Sequence, residues 1–131
     1  MSLRSFLEEM EKKREVIHVK EEVSPKLEVS AIMKEFDRGP ILQFEKVKRH
    51  NAKIVAGACG TRQRICWALG VDAENLYQSL VHAWRFPKKP RTLKEGPVEE
   101  VVEKPRLSRL PILTHFERDA GSYITSAIIS A

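Results

Sequence analysis

Residues 41–69 read ILQFEKVKRHNAKIVAGACGTRQRICWAL, and their pattern decides the fold. The run Ile41–Val47 mixes β-branched and aromatic residues as a strand does, and residues 53–59 form a second run. A polar turn, Lys48-Arg49-His50-Asn51, joins them. In the second run, Ile54-Val55-Ala56-Gly57-Ala58-Cys59 is continuously apolar and small, which predicts a central strand covered on both faces. Gly60-Thr61 follows directly and opens a helix over Arg62–Leu69, with a hydroxyl cap at its start and Gly70 at its close. Strand, glycine and helix in that order make an α/β domain.

Upstream, Leu3, Phe6, Leu7 and Met10 recur at helical spacing behind Ser2, a natural N-cap, and Glu8/Lys12 and Glu9/Lys13 pair on the outer side. Val16-Ile17-His18-Val19-Lys20 alternates, with Ile17 and Val19 on one face and His18 and Lys20 on the other, which predicts a half-buried strand. Ser24-Pro25 predicts a helix start, a capping hydroxyl followed by proline at the first helical position. Val29, Ile32, Met33 and Phe36 form its buried stripe, and Gly39-Pro40 ends it.

Downstream, residues 72–86 predict a helix whose arc of Leu76, Leu80 and Ala83, adjoined by Tyr77, Val81 and Trp84, is broad enough to pack between layers. Pro87, Pro90, Gly96-Pro97 and Pro105 then break the chain into a connector with one strand, at 98–102. The last stretch, LPILTHFERDAGSYIT at 110–125, reads as an extended approach, a charged turn at Glu117-Arg118-Asp119 closed by Ala120-Gly121, and a strand over 123–129. The sequence stops two residues later, which predicts a component interrupted in its middle. The expected architecture is α/β: a mixed sheet of strands near Val16, Leu42, Ile54 and Val98 packed by amphipathic helices. The domains expected are 1–86, a connector at 87–109, and the start of a second unit at 110–131.

The bulk numbers describe an ordinary globular chain. Its 131 residues are 42% hydrophobic and 31% charged, enough for one modest core. No apolar run approaches the roughly 20 residues of a membrane span and no signal-peptide core opens the chain, so a cytoplasmic protein without membrane contact is expected. The net charge of +5 comes from 23 Lys+Arg against 18 Asp+Glu, but the charges are interspersed. Only residues 46–53 and 88–91 cluster, without an aromatic platform, and they read as solvated surface rather than a nucleic-acid site. Cys59 and Cys66 fit neither a disulfide framework nor a zinc site and read as small core residues.

Few side chains invite chemistry. His18 reads as a surface strand residue and His82 as a partly exposed helix residue, neither beside a metal-spaced partner. The Gly60-Thr61 helix start with Arg62 and Arg64 offers backbone N–H groups to an anion, but the glycine-rich phosphate motif is absent. The competing expectation is a plain capped helix whose two arginines form surface or intersubunit ion pairs. His115 and Glu117 fall on the same face of an extended segment, a geometry open to a general-base pair or to a structural histidine at a turn. No serine sits in a nucleophile elbow.

The stretch LPILTHFERDAGSYIT resembles the Leu-Pro-Ile, His-Phe, Asp-Ala/Gly-Gly, Tyr-Ile-Thr run of the UbiD family of decarboxylases. Four further segments match in the family's order: Leu3 to Met10 with Val16-Ile17-His18-Val19, Gly39 to Val47, Gly60-Thr61-Arg62-Gln63-Arg64-Ile65 with Ala68-Leu69-Gly70, and Gly96 to Val102. The resemblance implies an α/β region leading into a split β-barrel domain. That domain holds prenylated FMN with a divalent metal (manganese) and potassium, and performs reversible non-oxidative decarboxylation of aromatic or α,β-unsaturated acids. Of the family's cofactor-side residues only a threonine is matched, by Thr125. The metal ligands, the arginine and the two glutamates have no counterpart here, so no catalytic and no metal residue is assigned.

Three functions follow as expectations. The first is the N-terminal part of a UbiD-like carboxy-lyase, inactive and without cofactor by itself, completed as a homo-oligomer or by a second polypeptide. The second is a standalone adaptor or anion-binding module that kept the fold without the chemistry. The third is a basic nucleic-acid binder.

Overall fold

The computed structural model describes residues 2–92, 96 and 100–124. Helix α1 (Leu3–Lys12) begins with a capping box: the Ser2 hydroxyl accepts the Ser5 N–H while the Ser5 hydroxyl closes back on Ser2. Strand β1 (Val16–Val23), helix α2 (Glu28–Glu35) and strand β2 (Ile41–Val47) form a βαβ unit, because β1 and β2 are parallel and need a crossover helix. Strand β3 (Ile54–Ala56) returns antiparallel to β2 after a turn in which Arg49 adopts φ 66°. The sheet among the described residues is therefore mixed, in the order β1-β2-β3.

Two apolar clusters sit on opposite faces of this sheet. Under α2, Val29 joins Val23, Leu42, Phe44, Val47 and Ala56; under α1 and helix α3 (Arg62–Leu69), Phe6 and Met10 meet Ile41, with Trp67 and Ala68 packed against them. Lys13 covers the Trp67 ring at 4.8 Å. Pairing on both edges and packing on both faces make β2 the central strand.

This differs from the expectation for residues 53–59. The ladder stops at Ala56 because Gly57 turns to φ 75° and the Gly60 N–H closes back onto its carbonyl, so β3 is a short edge strand. The run stays apolar because Ala58 continues beneath α1 and α3, while Cys59 emerges exposed; only Cys66 is a core cysteine.

The second helix also starts later than Ser24-Pro25 suggests. Pro25 and Lys26 carry backbone pairing to a distant segment, Leu27 turns to φ 69°, and α2 opens at Glu28, whose carboxylate accepts the Ser24 N–H at 2.7 Å. In β1 the expected alternation holds to Val19, after which the register against β2 slips by one residue before Glu22. Ile17 shares the Val19 face but stays exposed at the sheet edge.

Helix α4 (Leu76–Arg85) forms as the periodicity predicts, but its arc does not lie between layers: only Leu76 is buried, and Tyr77, Leu80 and Trp84 face solvent. Beyond it, Glu100 to Val102 are irregular and exposed, and the remainder of the strand expected at 98–102 lies outside the described residues. A 3₁₀ turn, Leu107–Arg109, precedes the final segment. Tyr123 and Ile124 are not in a strand, and the rest of the strand expected there lies outside the described residues.

Candidate functional site

The final described segment lies beside α2. Thr114 pairs in parallel with Lys26: the Leu27 N–H donates to the Thr114 carbonyl at 2.9 Å, and the Thr114 N–H to the Pro25 carbonyl at 3.1 Å. Leu113 packs into the cluster under α2. Between segment and helix runs an open groove of about 810 Å³. Leu27, Ala31, Met33 and Phe116 supply its apolar wall, and Ser30, Lys34, Asp37, His115 and Glu117 its polar groups.

His115 is held from three sides. Its Nδ1 lies 3.0 Å from Ser30 Oγ, its backbone N–H donates to Asp119 Oδ2 at 3.0 Å, and the Tyr123 ring stands 5.4 Å away. Asp119 also accepts the Phe116 N–H at 2.8 Å, closing the charged turn expected at 117–119. Glu117 lines the same groove as His115, as their alternation predicts, but the imidazole takes Ser30 as its partner. A hydroxyl against an imidazole is two-thirds of a nucleophile system, and the missing third is a carboxylate on the other ring nitrogen. No carboxylate among the described residues is hydrogen-bonded to that nitrogen, and Asp119 uses Oδ2 on two backbone amides. Among the described residues the groove can bind a polar or aromatic group and exchange a proton with it, without an oriented nucleophile.

Ser30 escaped sequence reading because it lies 85 positions from His115. Its one signal is a small hydroxyl beside the Val29, Ile32, Met33 stripe.

At the α3 start, Thr61 Oγ1 accepts the Arg64 N–H at 3.3 Å, the expected cap. The arginines behave otherwise than as surface ion pairs. Arg62 donates to the Ala73 carbonyl at 2.7 Å, and Arg64 turns inward until it is 2% exposed. There Nη1 meets Glu15 Oε2 at 3.2 Å and Nη2 the Gly39 carbonyl at 2.8 Å, while Nε has no protein partner. Gly60 is needed beside it, since a Cβ there would stand 3.0 Å from Nη2 and 3.1 Å from the Gly57 carbonyl. Arg64 thus ties the α1–β1 turn, the α2–β2 turn and α3 together.

His18 sits on the surface as expected, yet it has partners on two elements. Nε2 meets Glu11 of α1 at 2.5 Å and Nδ1 meets Glu45 of β2 at 2.7 Å, while Glu45 also holds Lys53 at 2.5 Å and Gln43 at 2.8 Å. The Glu45 bond, then the Glu11 bond, raises the imidazole pKa above 6.5. Lys53 first, then His18 and Gln43, pulls the Glu45 carboxyl down to about 2. A raised histidine stabilises below its unfolded pKa of 6.5 and loses that contribution as pH climbs through the folded value; a depressed carboxyl stabilises above 4.5 and loses it as pH falls towards 2. The cluster therefore works best between 4.5 and 6.5. The Tm advantage of the native chain over His18→Gln should shrink from about pH 6 to about pH 8. An advantage that does not change with pH would refute the ion-paired imidazole.

His82 is exposed on α4, its ring tilted 40° to that of Phe86 with the centroids 5.0 Å apart. Thr125 lies outside the described residues. Among those described, no three His, Cys, Asp or Glu side chains converge as metal ligands, so the described donor set does not fit a divalent metal. No helix among them is long and apolar enough to cross a membrane.

Residues 7–84 match the family model described as 3-octaprenyl-4-hydroxybenzoate carboxy-lyase N-terminal domain, and residues 90–131 its Rift-related domain. The anhydromevalonate phosphate decarboxylase of Methanosarcina mazei is 33% identical over 98% of this chain. Among solved structures, an evolved dimeric form of the UbiD-class enzyme HmfF from Pelotomaculum thermopropionicum, in complex with prFMN, superposes with a TM-score of 0.87 at 36% identity over 95% of the chain. The closed form of Sedimentibacter hydroxybenzoicus vanillic acid decarboxylase (ShVdcCD) superposes at 0.79 with 30% identity over 93%. The chain spans only about 30% of the length of the first two and 29% of the third.

Proposed function

We propose, from the premise that this chain belongs to the UbiD family of carboxy-lyases, that it supplies the N-terminal part of a prenylated-FMN decarboxylase acting on aromatic or α,β-unsaturated acids. The observation that carries this is the TM-score of 0.87 against a UbiD-class enzyme solved with prFMN, over 95% of the chain. Prenylated FMN, where bound, supplies the electron sink for decarboxylation. The described residues of this chain do something else: they build the scaffold beside which the Thr114 segment is seated, and Thr125 follows from it as the family's cofactor-side threonine.

The chain by itself binds no prenylated FMN tightly and decarboxylates nothing, and it works as a homo-oligomer or with a second polypeptide. The dimeric relative supports association. Two free cysteines suit a reducing, cytoplasmic setting. We divide it into an α/β unit at 1–86, a connector at 87–109 and the start of the cofactor unit at 110–131; the family models, which meet between residues 84 and 90, support a boundary near Phe86.

The test is to purify the chain after co-expression with a flavin prenyltransferase and record its absorbance. A flavin-free spectrum is expected. Stoichiometric bound cofactor would overturn the inactive-alone reading.

A further inference from the structure

Residues 113–123 form a loop that closes at its own neck. The Tyr123 N–H donates to the Leu113 carbonyl at 3.2 Å, and the hydroxyls of Thr114 and Ser122 stand 3.0 Å apart. On its entry side the loop is stitched to the scaffold through the Thr114 backbone. On its exit side the described residues show no backbone pairing of Tyr123 or Ile124 with the sheet or α2. His115 reaches across instead. Its Nδ1 bonds Ser30 of α2 at 3.0 Å, and its ring lies against that of Tyr123 with centroids 5.4 Å apart, a distance at which rings attract one another. Asp119 holds the His115 backbone and Ser30 holds the imidazole, so the face offered to Tyr123 is fixed.

We propose that His115 is a positioning residue: by joining Ser30 of α2 to Tyr123, it fixes the point from which the chain runs on to Thr125, two residues later. This role rests on the reading of Thr125 as the family's cofactor-side threonine. A group that meets a cofactor must be held to within about half an ångström, and the support has to come from a rigid element. Helix α2 is rigid at this point, because Val29, next to Ser30, is fully buried in the core beneath it. The Ser30 hydroxyl therefore carries the fixed position of the core out to the imidazole, and the imidazole carries it to Tyr123. Without that link Tyr123 keeps its bond to Leu113, a member of the same loop, but loses its tie to α2.

Amide hydrogen exchange of the full chain, followed by NMR, tests the link. Ser30→Ala should speed exchange at Tyr123 about tenfold, although the hydroxyl bonds His115 and not Tyr123. The Leu27 amide, which donates to Thr114, should keep its native rate and so shows that the variant folds and the segment stays seated. His115→Ala should do at least as much as Ser30→Ala, and combining the two should add nothing further, because both remove one link. Ser30→Thr keeps the hydroxyl and should exchange at the native rate. A Tyr123 amide unmoved by Ser30→Ala overturns the link, and so does equal acceleration at Tyr123 and Leu27, the result of a general loosening of the segment. In the complete decarboxylase Ser30→Ala should also weaken FMN binding about tenfold, read by quenching of flavin fluorescence. Amides that respond without a change in FMN affinity overturn the cofactor role and with it the reading of Thr125, while the contact between α2 and Tyr123 stands.

Discussion

Replacing Arg64 by alanine should lower the unfolding free energy by about 3 kcal/mol and Tm by roughly 10 °C. The guanidinium is the largest fully buried side chain, and it reaches Glu15 and the Gly39 carbonyl, two points that no other described side chain joins. Truncation leaves a cavity and an orphaned carbonyl. Arg64→Lys should keep most of the loss, since one ammonium cannot span both partners. Arg64→Met should recover part of it, because the unpaired Nε and the buried charge disappear together. Urea unfolding measures all three. A loss below about 0.5 kcal/mol for the alanine variant would mean that the guanidinium faces water.

Phe44→Ala should be costlier still, about 4 kcal/mol. Phe44 is fully buried on the central strand, opposite Val19 of β1 and Ile54 of β3, and its ring joins both edges of the sheet to α2. Few neighbours can move into the space, because strands on both sides fix the backbone. Against a total stability of roughly 5–15 kcal/mol, the variant should be partly unfolded at physiological temperature. Phe44→Leu, nearer in volume, should cost under about 1.5 kcal/mol. Equal midpoints for the alanine variant and the native chain would refute the placement of this core.

Much of this fold was legible, for local reasons. Helices α1 and α3 carry their caps in Ser2, Thr61 and Gly70, and those caps form. Two of the failures share a cause, a contact made far along the chain. Ser24-Pro25 reads as a helix start until Thr114 arrives to use the Pro25 and Lys26 backbone. Arg64 reads as surface until Glu15 and Gly39 converge on it. The α4 arc reads as buried because periodicity reports which face is apolar and not whether anything covers it. At the groove, His115, Glu117 and the turn at Asp119 were legible, while Ser30 was not. The partners of His18 were equally invisible, since the strand register sets Glu45 beside it and the packing of α1 against β1 sets Glu11 there.

The pairing of Thr114 with Lys26 has a consequence in time. It closes a loop of roughly 90 residues, an entropic cost on the order of 4 kcal/mol before any contact is made. Two backbone hydrogen bonds and the burial of Leu113 offset that cost only if β1, α2 and the turn at Leu27 already stand as a template. The closing segment is therefore the last piece to arrive during folding and the first to leave when the native state opens, and amides in residues 113–115 should exchange with solvent well before those of β2.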